Sequence, residues 1–162
     1  MEVTRNHLLL TPEFSVKGTL ARVAGRLSDH LVNHERSHLQ VLDAETTFFT
    51  TFEKAHAVEA EVARDHVLFA HEYVAMSGDP HLQAMNRAPV PDRYRIVMAG
   101  AAGLSLVARL RNAAPHSERR FLVVTEPEVK DVGGCPPGMI ELLSGLPYLL
   151  VNRSRVATFF RV

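Results

Sequence analysis

Three histidines at intervals of four residues are the first side chains in this sequence whose type and spacing could do chemistry. They are His30, His34 and His38. On an α-helix this spacing would align the imidazoles along one face, and neutral imidazoles are common ligands of zinc. Ser28 is a good N-cap, so we predict a short helix from Asp29, whereas His38 opens a strand-like segment. His30 and His34 are therefore the candidate metal ligands. The alternative, surface histidines, is favoured, so no bound metal or cofactor is predicted.

Other reactive side chains do not form a recognisable catalytic set. Acidic residues recur near predicted strand ends and could act as paired acid–base groups or as solvated turn residues: Asp43, Glu45, Glu126 and Glu128. The segment GAAGLS at 100–105 lacks the Gly-Lys-Ser/Thr ending of a phosphate loop. Cys135, in the loop sequence GGCPPG, has no neighbouring base that would activate it. We therefore predict a protein that is not an enzyme.

The composition is that of a globular protein with enough apolar residues for a core. Of the 162 residues, 46% are hydrophobic, and 18 Lys and Arg balance 18 Asp and Glu, so overall charge gives no reason to expect nucleic acid as the partner. The single cysteine excludes an internal disulfide and favours a reducing compartment. The first residues, MEVTRNHLLLTPEF, show no signal-peptide pattern, and the sequence contains no run of about 20 apolar residues. We therefore predict a cytoplasmic protein without a membrane span.

Alternating apolar and polar residues predict a mainly β fold, with α+β as the alternative. Phe14, Val16 and Leu20 alternate with polar residues, and Gly18 interrupts them where a bulge or bend is expected. Residues 53–66 suit a helix or a β-hairpin. The apolar segment 94–110 is a strand candidate, 149–162 a strand or hairpin, and Met139 to Leu143 could form one helical turn.

A repeat organises these elements. With a shift of 83 residues, RLSDHLVNHERSHLQVLDAE (26–45) aligns with RLRNAAPHSERRFLVVTEPE (109–128) at seven identities in twenty. A shift of 82 upstream aligns Gly18 with Gly100, and a shift of 89 downstream aligns 64–69 with 153–158. Chance similarity is the alternative. We predict two tandem related small β-barrel or sheet units, each with a short helix: copy 1 at 1–75, a Gly/Pro-rich linker at 76–92 and copy 2 at 93–162.

The motif RLSD-x-L, followed by L-x-V-x-D-A, resembles an uncharacterised family of small bacterial β-domains and, more distantly, small Sm-like β-barrels. The matching residues are Gly18, Leu20, 26–29, Leu31, Leu39, Val41, Asp43 and Ala44 in copy 1, and Gly100, Arg109, Leu110, Leu122, Val124, Asn152 and Arg153 in copy 2. The resemblance implies a bent-strand barrel. An Sm-like role would imply RNA binding, which the neutral charge and the missing Ser-Asp pair of copy 2 disfavour.

Two apolar stretches, TTFFTTF (46–52) and PPGMIELLSGLPYLL (136–150), could pack as core or expose contact surfaces. The candidate contact residues are Phe48, Phe49, Phe52, Met139, Ile140, Leu143 and Tyr148. The predicted function is a non-enzymatic protein-interaction or assembly module, an accessory subunit of a larger bacterial complex, with protein partners or self-association. The alternatives are a small metal- or ligand-binding protein that uses His30 and His34, and an Sm-like nucleic-acid binder.

Overall fold

The computed structural model of the chain describes residues 6–21, 27, 31, 37–73, 93–99, 104–110, 120–131 and 135–162. These residues form a mainly β protein with ten strands in one antiparallel sheet. The first five strands are β1 (His7–Leu10), β2 (Phe14–Leu20), β3 (His38–Phe48), β4 (Lys54–Ala63) and β5 (Phe69–Glu72). The next five are β6 (Arg93–Met98), β7 (Ser105–Leu110), β8 (Phe121–Asp131), β9 (Tyr148–Asn152) and β10 (Val156–Arg161). The helix α1 (Pro137–Ser144) lies between β8 and β9, and 3₁₀ turns at Arg64–His66 and Arg153–Arg155 precede β5 and β10.

Two blocks of five strands make up the sheet, in the order β10-β6-β7-β8-β9-β5-β1-β2-β3-β4. We call β1–β5 the first half and β6–β10 the second half. Within each half the fifth strand lies beside the first, and the second, third and fourth strands follow in order. The halves join where β9, the fourth strand of one, pairs with β5, the fifth strand of the other.

The strand registers of the two halves correspond, except for a second irregularity of β7–β8 between Ser105 and Leu106 that β2–β3 lacks. A shift of 83 residues places β3 on β8, and the pairing of Val41 with Ala60 then corresponds to that of Val124 with Leu149. This correspondence shifts the fourth strand by 89 residues. A shift of 89 residues also places the first 3₁₀ turn on the second. The same shift places β5 on β10, because β5 pairs with β1 in the register in which β10 pairs with β6.

The third strand of each half carries a β-bulge at the same place. In β3 two residues oppose Gly18 of β2, and in β8 two residues oppose Ala108 of β7. The first bulge residue has a left-handed backbone in both halves, with φ of 50° at Asp43 and 53° at Glu126. A Cβ on Gly18 would lie 2.5 Å from Val41 Cγ1 and 2.7 Å from a backbone oxygen of β3, so this close approach requires glycine.

Two clusters of buried apolar side chains form the core, and each draws on both halves. The first combines second-half residues with Leu8, Leu10, Phe49, Leu68 and Phe69. The second combines first-half residues with Phe121, Val123, Tyr148 and Leu150, and it includes the fully buried, helical Leu27 and Leu31. Because both clusters cross the β5–β9 join, the apolar contacts as well as the sheet hold the halves together.

Several expectations about single elements change. Segment 94–110 is two strands, β6 and β7, rather than one. Residues 149–162 are not a hairpin, because β9 pairs with β8 and β5 whereas β10 pairs with β6. Residues 54–63 of the ambiguous 53–66 segment are strand, and the predicted turn near Met139 is helix α1. In the aligned registers Gly18 corresponds to Ala108, so its predicted equivalence with Gly100 is wrong.

Several predicted features lie outside the described residues. They are the linker at 76–92, the candidate ligands His30 and His34, the start of the predicted helix at Ser28 and Asp29, and residues 100–103 of the segment GAAGLS. None of the helices in the described ranges has the length and apolar character that a membrane crossing requires. The division of the chain into units at 1–75 and 93–162 stays a prediction.

Candidate functional site

The join between the halves is short in backbone pairing and is reinforced by side chains. Phe69 pairs with Val151 and Ala70 with Leu150. Beyond these two pairs, the Asn152 N–H donates to the Leu68 carbonyl oxygen at 2.9 Å. A join built from so few backbone pairs depends on the polar side chains around it. These side chains are therefore candidate functional residues.

Asn152 holds the end of β9 against the first half. Its side chain is buried, and Nδ2 donates to the Val67 carbonyl oxygen at 2.8 Å and, at a longer 3.4 Å, to that of Arg64. Its Oδ1 accepts from the Ser154 N–H at 3.1 Å and from Ser154 Oγ at 2.8 Å. One amide thus fixes both the 3₁₀ turn of its own half and the loop before β5, and only an amide supplies donor and acceptor together in this way.

His71 of β5 lies in an aromatic setting at the join. Its Nδ1–H donates to the Tyr148 carbonyl oxygen at 3.1 Å, and its ring centroid lies 4.6 Å from that of Tyr148 and 4.8 Å from that of Tyr73. Burial lowers the pKa of His71, partly offset by the Tyr148 hydrogen bond and the charge of Glu72. Burial also raises the pKa of Tyr73, whose ring lies 4.8 Å from Lys17 Nζ. His71 is therefore held neutral over a wider pH range than an exposed histidine.

A second buried histidine, His7, fixes the neighbouring strands. The Leu20 N–H donates to His7 Nδ1 at 2.9 Å, so the proton of the neutral ring is on Nε2, which faces Glu72 Oε1 at 3.7 Å. Glu72 Oε2 also accepts from the Leu27 N–H at 3.2 Å, and the Tyr148 hydroxyl donates to the Glu72 carbonyl oxygen at 2.9 Å. Apart from the His7–Glu72 contact, these polar groups bond to the backbone, which satisfies their hydrogen-bonding capacity within the join.

Metal and nucleophile chemistry find no support in the described part of the chain. No three His, Cys, Asp or Glu side chains lie together there as a metal ion would require. Cys135 is buried, with Sγ 3.5 Å from Met139 Sδ, and burial raises its thiol pKa, which disfavours the reactive thiolate. The acidic candidates Asp43 and Glu126 form exposed pairs with His56 and Arg109, at 2.7 Å each.

The two outer strands of the sheet are the second feature of interest. Strand β4 lies at one end of the strand order and β10 at the other. Residues 54–59 of β4 are all exposed, with Val58 86% exposed, and Phe160 of β10 is 48% exposed. An outer strand of ten residues presents a row of backbone groups to which another strand can bond.

Charge is distributed unequally between the halves, although the whole chain is neutral. Residues 1–92 contain 8 Lys and Arg against 13 Asp and Glu, a net charge of −5. Residues 93–162 contain 10 Lys and Arg against 5 Asp and Glu, a net charge of +5. The end of the sheet that carries β4 therefore belongs to an acidic half and the end that carries β10 to a basic one.

The predicted contact residues divide into core and surface. Phe49, Met139, Leu143 and Tyr148 are buried in the two clusters, and Ile140 is partly buried against the first of them. Phe48 and Phe52 are exposed, at 37% and 67%. For the apolar segment 136–150, packing on the sheet therefore accounts for Met139, Leu143 and Tyr148.

Of the residues at the join, Tyr148 is a predicted contact residue, whereas His7 and His71 are not among the candidate site residues. His7 and His71 interrupt the apolar strands HLLL and FAHE, a signal of buried polar groups that need partners. The charge difference between the halves is also visible in the sequence once the two copies are counted separately. Asn152 enters the sequence analysis only through the resemblance to Sm-like barrels.

Comparison with known proteins gives one partial similarity. Over 84 residues the chain is 34% identical to neopentalenolactone D synthase from Streptomyces avermitilis, a match that covers 51% of this chain and 14% of the synthase. No family model matches the chain, and no solved structure matches it significantly. The resemblances to a small bacterial β-domain family and to Sm-like barrels stay predictions.

Proposed function

We propose that this protein is a non-enzymatic assembly module that binds protein partners by strand addition at the outer strands of its sheet. The single observation that carries the proposal is the sheet order, which leaves β4 and β10 at the ends of a ten-stranded sheet. Strand addition uses backbone hydrogen bonds for affinity and the flanking side chains for specificity. The ten-residue β4, exposed along most of its length, suits this mode of binding.

The internal architecture supports the proposal. We infer that the chain arose as a tandem duplication of a five-strand unit, because the strand order, the registers and the left-handed bulge residues Asp43 and Glu126 correspond between the halves. The two units then already associate through strand pairing, between β5 and β9. A fold that joins its own units in this way has the geometry needed to join other chains.

The partial match is compatible with an accessory role. The match covers 14% of neopentalenolactone D synthase, so about half of this chain is similar to one part of a larger protein. We propose that this chain acts as an accessory subunit of a larger bacterial complex in the cytoplasm. The buried, free Cys135 suits a reducing compartment.

Proline substitution in the middle of β4 tests the proposal. Neighbouring residues of an outer strand direct their N–H groups alternately to the sheet and to the open side. Of the two variants Val58→Pro and Glu59→Pro, one therefore removes an N–H group on the open side and leaves the backbone hydrogen bonds to β3 in place. Circular dichroism identifies which variant keeps the parent fold. Affinity capture from a lysate of the source bacterium should then recover proteins with the parent chain that the folded proline variant fails to bind. If both chains capture the same proteins, binding at this strand is refuted.

A further inference from the structure

We propose that β10 of one chain pairs with β4 of a second copy of the same chain, so that copies associate head to tail into one continuous sheet. This inference rests on the proposed function and names the partner. It follows because the join inside the chain and the two ends of the sheet involve the same kinds of strand, a fourth and a fifth strand of a half. Inside the chain, a fifth strand (β5) pairs antiparallel with a fourth strand (β9). At the ends of the sheet lie the other fourth strand (β4) and the other fifth strand (β10).

The internal join specifies a register for this contact. Under the 89-residue shift that relates the fourth and fifth strands of the halves, the internal pair Phe69–Val151 becomes Thr158 opposite Val62. Continuing the antiparallel register three residues along β10 places Arg161 of one copy opposite Glu59 of the other. The first two pairs of this register, Thr158–Val62 and Phe159–Glu61, are the equivalents of the two pairs of the internal join, and the pair Arg161–Glu59 extends the same register along both strands.

Charge supports this register. Arg161 opposite Glu59 is a cross-strand pair of opposite charge, the kind that stabilises antiparallel strands. The flanking residues follow the same trend, since β4 carries Glu61 as well as Glu59 and has its one lysine, Lys54, at its far end, whereas the turn before β10 carries Arg153 and Arg155. The contact would join the acidic half of one chain to the basic half of the next, which favours this contact over β4–β4 or β10–β10 pairing.

Exposed apolar side chains lie next to the Arg161–Glu59 pair on both strands. Val58, 86% exposed, is the most exposed of the large hydrophobic side chains in the described ranges. The next pair in the derived register sets it opposite Val162 of the other copy, which is also exposed. Pairing would therefore cover apolar surface on both strands. Because the contact joins two different surfaces, it repeats from chain to chain and produces a ring or a filament rather than a symmetric dimer.

Charge reversal on either side of the contact tests the proposal. We expect the parent chain to exceed the monomer mass by light scattering coupled to size exclusion and to dissociate on dilution. Glu59→Arg or Arg161→Glu should each weaken association about tenfold, since a favourable cross-strand pair becomes a like-charge pair. Glu141→Arg, on the exposed side of helix α1, is the matched control and should leave the mass unchanged.

Restoration experiments give the decisive outcome. The double variant Glu59→Arg/Arg161→Glu should associate as the parent does. An equimolar mixture of the two single variants should also associate, because the substituted β4 of one variant then meets the substituted β10 of the other. A parent chain that stays monomeric at all concentrations, or reversals that are not rescued by combination, would overturn head-to-tail pairing. In the monomeric case, lysate capture that is lost in the folded β4 proline variant would leave the proposed function standing, with a different protein as its partner.

Discussion

Asn152 gives the sharpest test of how the halves are held together. Replacement by alanine removes the buried donor to the Val67 carbonyl oxygen and the acceptor of the two partly buried Ser154 hydrogen bonds. A hydrogen bond contributes about 1 kcal/mol net, and a buried group left without a partner costs about 1–3 kcal/mol. We therefore expect Asn152→Ala to lower the free energy of unfolding by about 2–4 kcal/mol, a large part of the total for a chain of this size.

Urea unfolding followed by circular dichroism measures this loss, with Ser154→Ala as the control that removes one side-chain contact and should cost about 1 kcal/mol or less.

Asn152→Asp separates donor from acceptor, because a carboxylate keeps the bonds from Ser154 but repels the Val67 carbonyl oxygen. The fold then favours the protonated acid, which raises the pKa of the new carboxyl. Stability is thus greatest below the ordinary Asp pKa and is lost as pH rises through the raised value. If Asn152→Ala costs less than about 0.5 kcal/mol, the amide does not hold the join.

The remaining predictions concern protonation, close packing and the core. Because burial lowers the pKa of His71, the unfolded chain binds the proton more readily; stability should be greatest above about pH 7 and fall as pH drops through about 6.5 toward the lowered value. His71→Phe should flatten that fall in urea titrations repeated across pH, and an unchanged slope would contradict it. Gly18→Ala should cost about 1–3 kcal/mol, because the added carbon would meet β3. Gly145→Ala, whose nearest atoms lie at 3.9 Å, should change stability by less than about 0.5 kcal/mol in the same assay. Leu143→Ala should cost about 2–5 kcal/mol in thermal or urea unfolding and the exposed Phe52→Ala less than about 0.5 kcal/mol; equal losses would refute the assigned packing.

The mainly β fold was predictable because its signals are local. Alternation of apolar and polar residues marks β2 and β3, and the interruption at Gly18 marks the bulge that the structure contains. The turn near Met139 was also predictable, because it lies in a compact apolar segment that follows two prolines. These features depend on neighbours within a few residues, so the sequence pattern contains the information directly.

Features that depend on distant partners were not predictable in the same way. Segment 94–110 is apolar almost throughout, so its periodicity could not reveal that one strand ends at Met98 and another begins at Ser105. Residues 149–162 look like a hairpin, but β9 finds its second partner in β5, far away in the sequence. His71 stands out in the sequence only as a polar residue in an apolar strand, and this signal does not identify its partner, since the hydrogen bond to Tyr148 exists only once the two halves have met.

The shared cores have a consequence for how the chain folds. Phe69 and Val151 are 82 residues apart in sequence, and both apolar clusters need side chains from each half. Closing so long a loop costs chain entropy before the contacts it permits can repay that cost, so folding should be slow for a protein of this length. As the ribosome releases the first half, the β5 strand must wait for β9 to be synthesised. During that interval β5 pairs only with β1 and its other edge lies open beside an incomplete core, so shielding of this edge would govern the yield of folded protein.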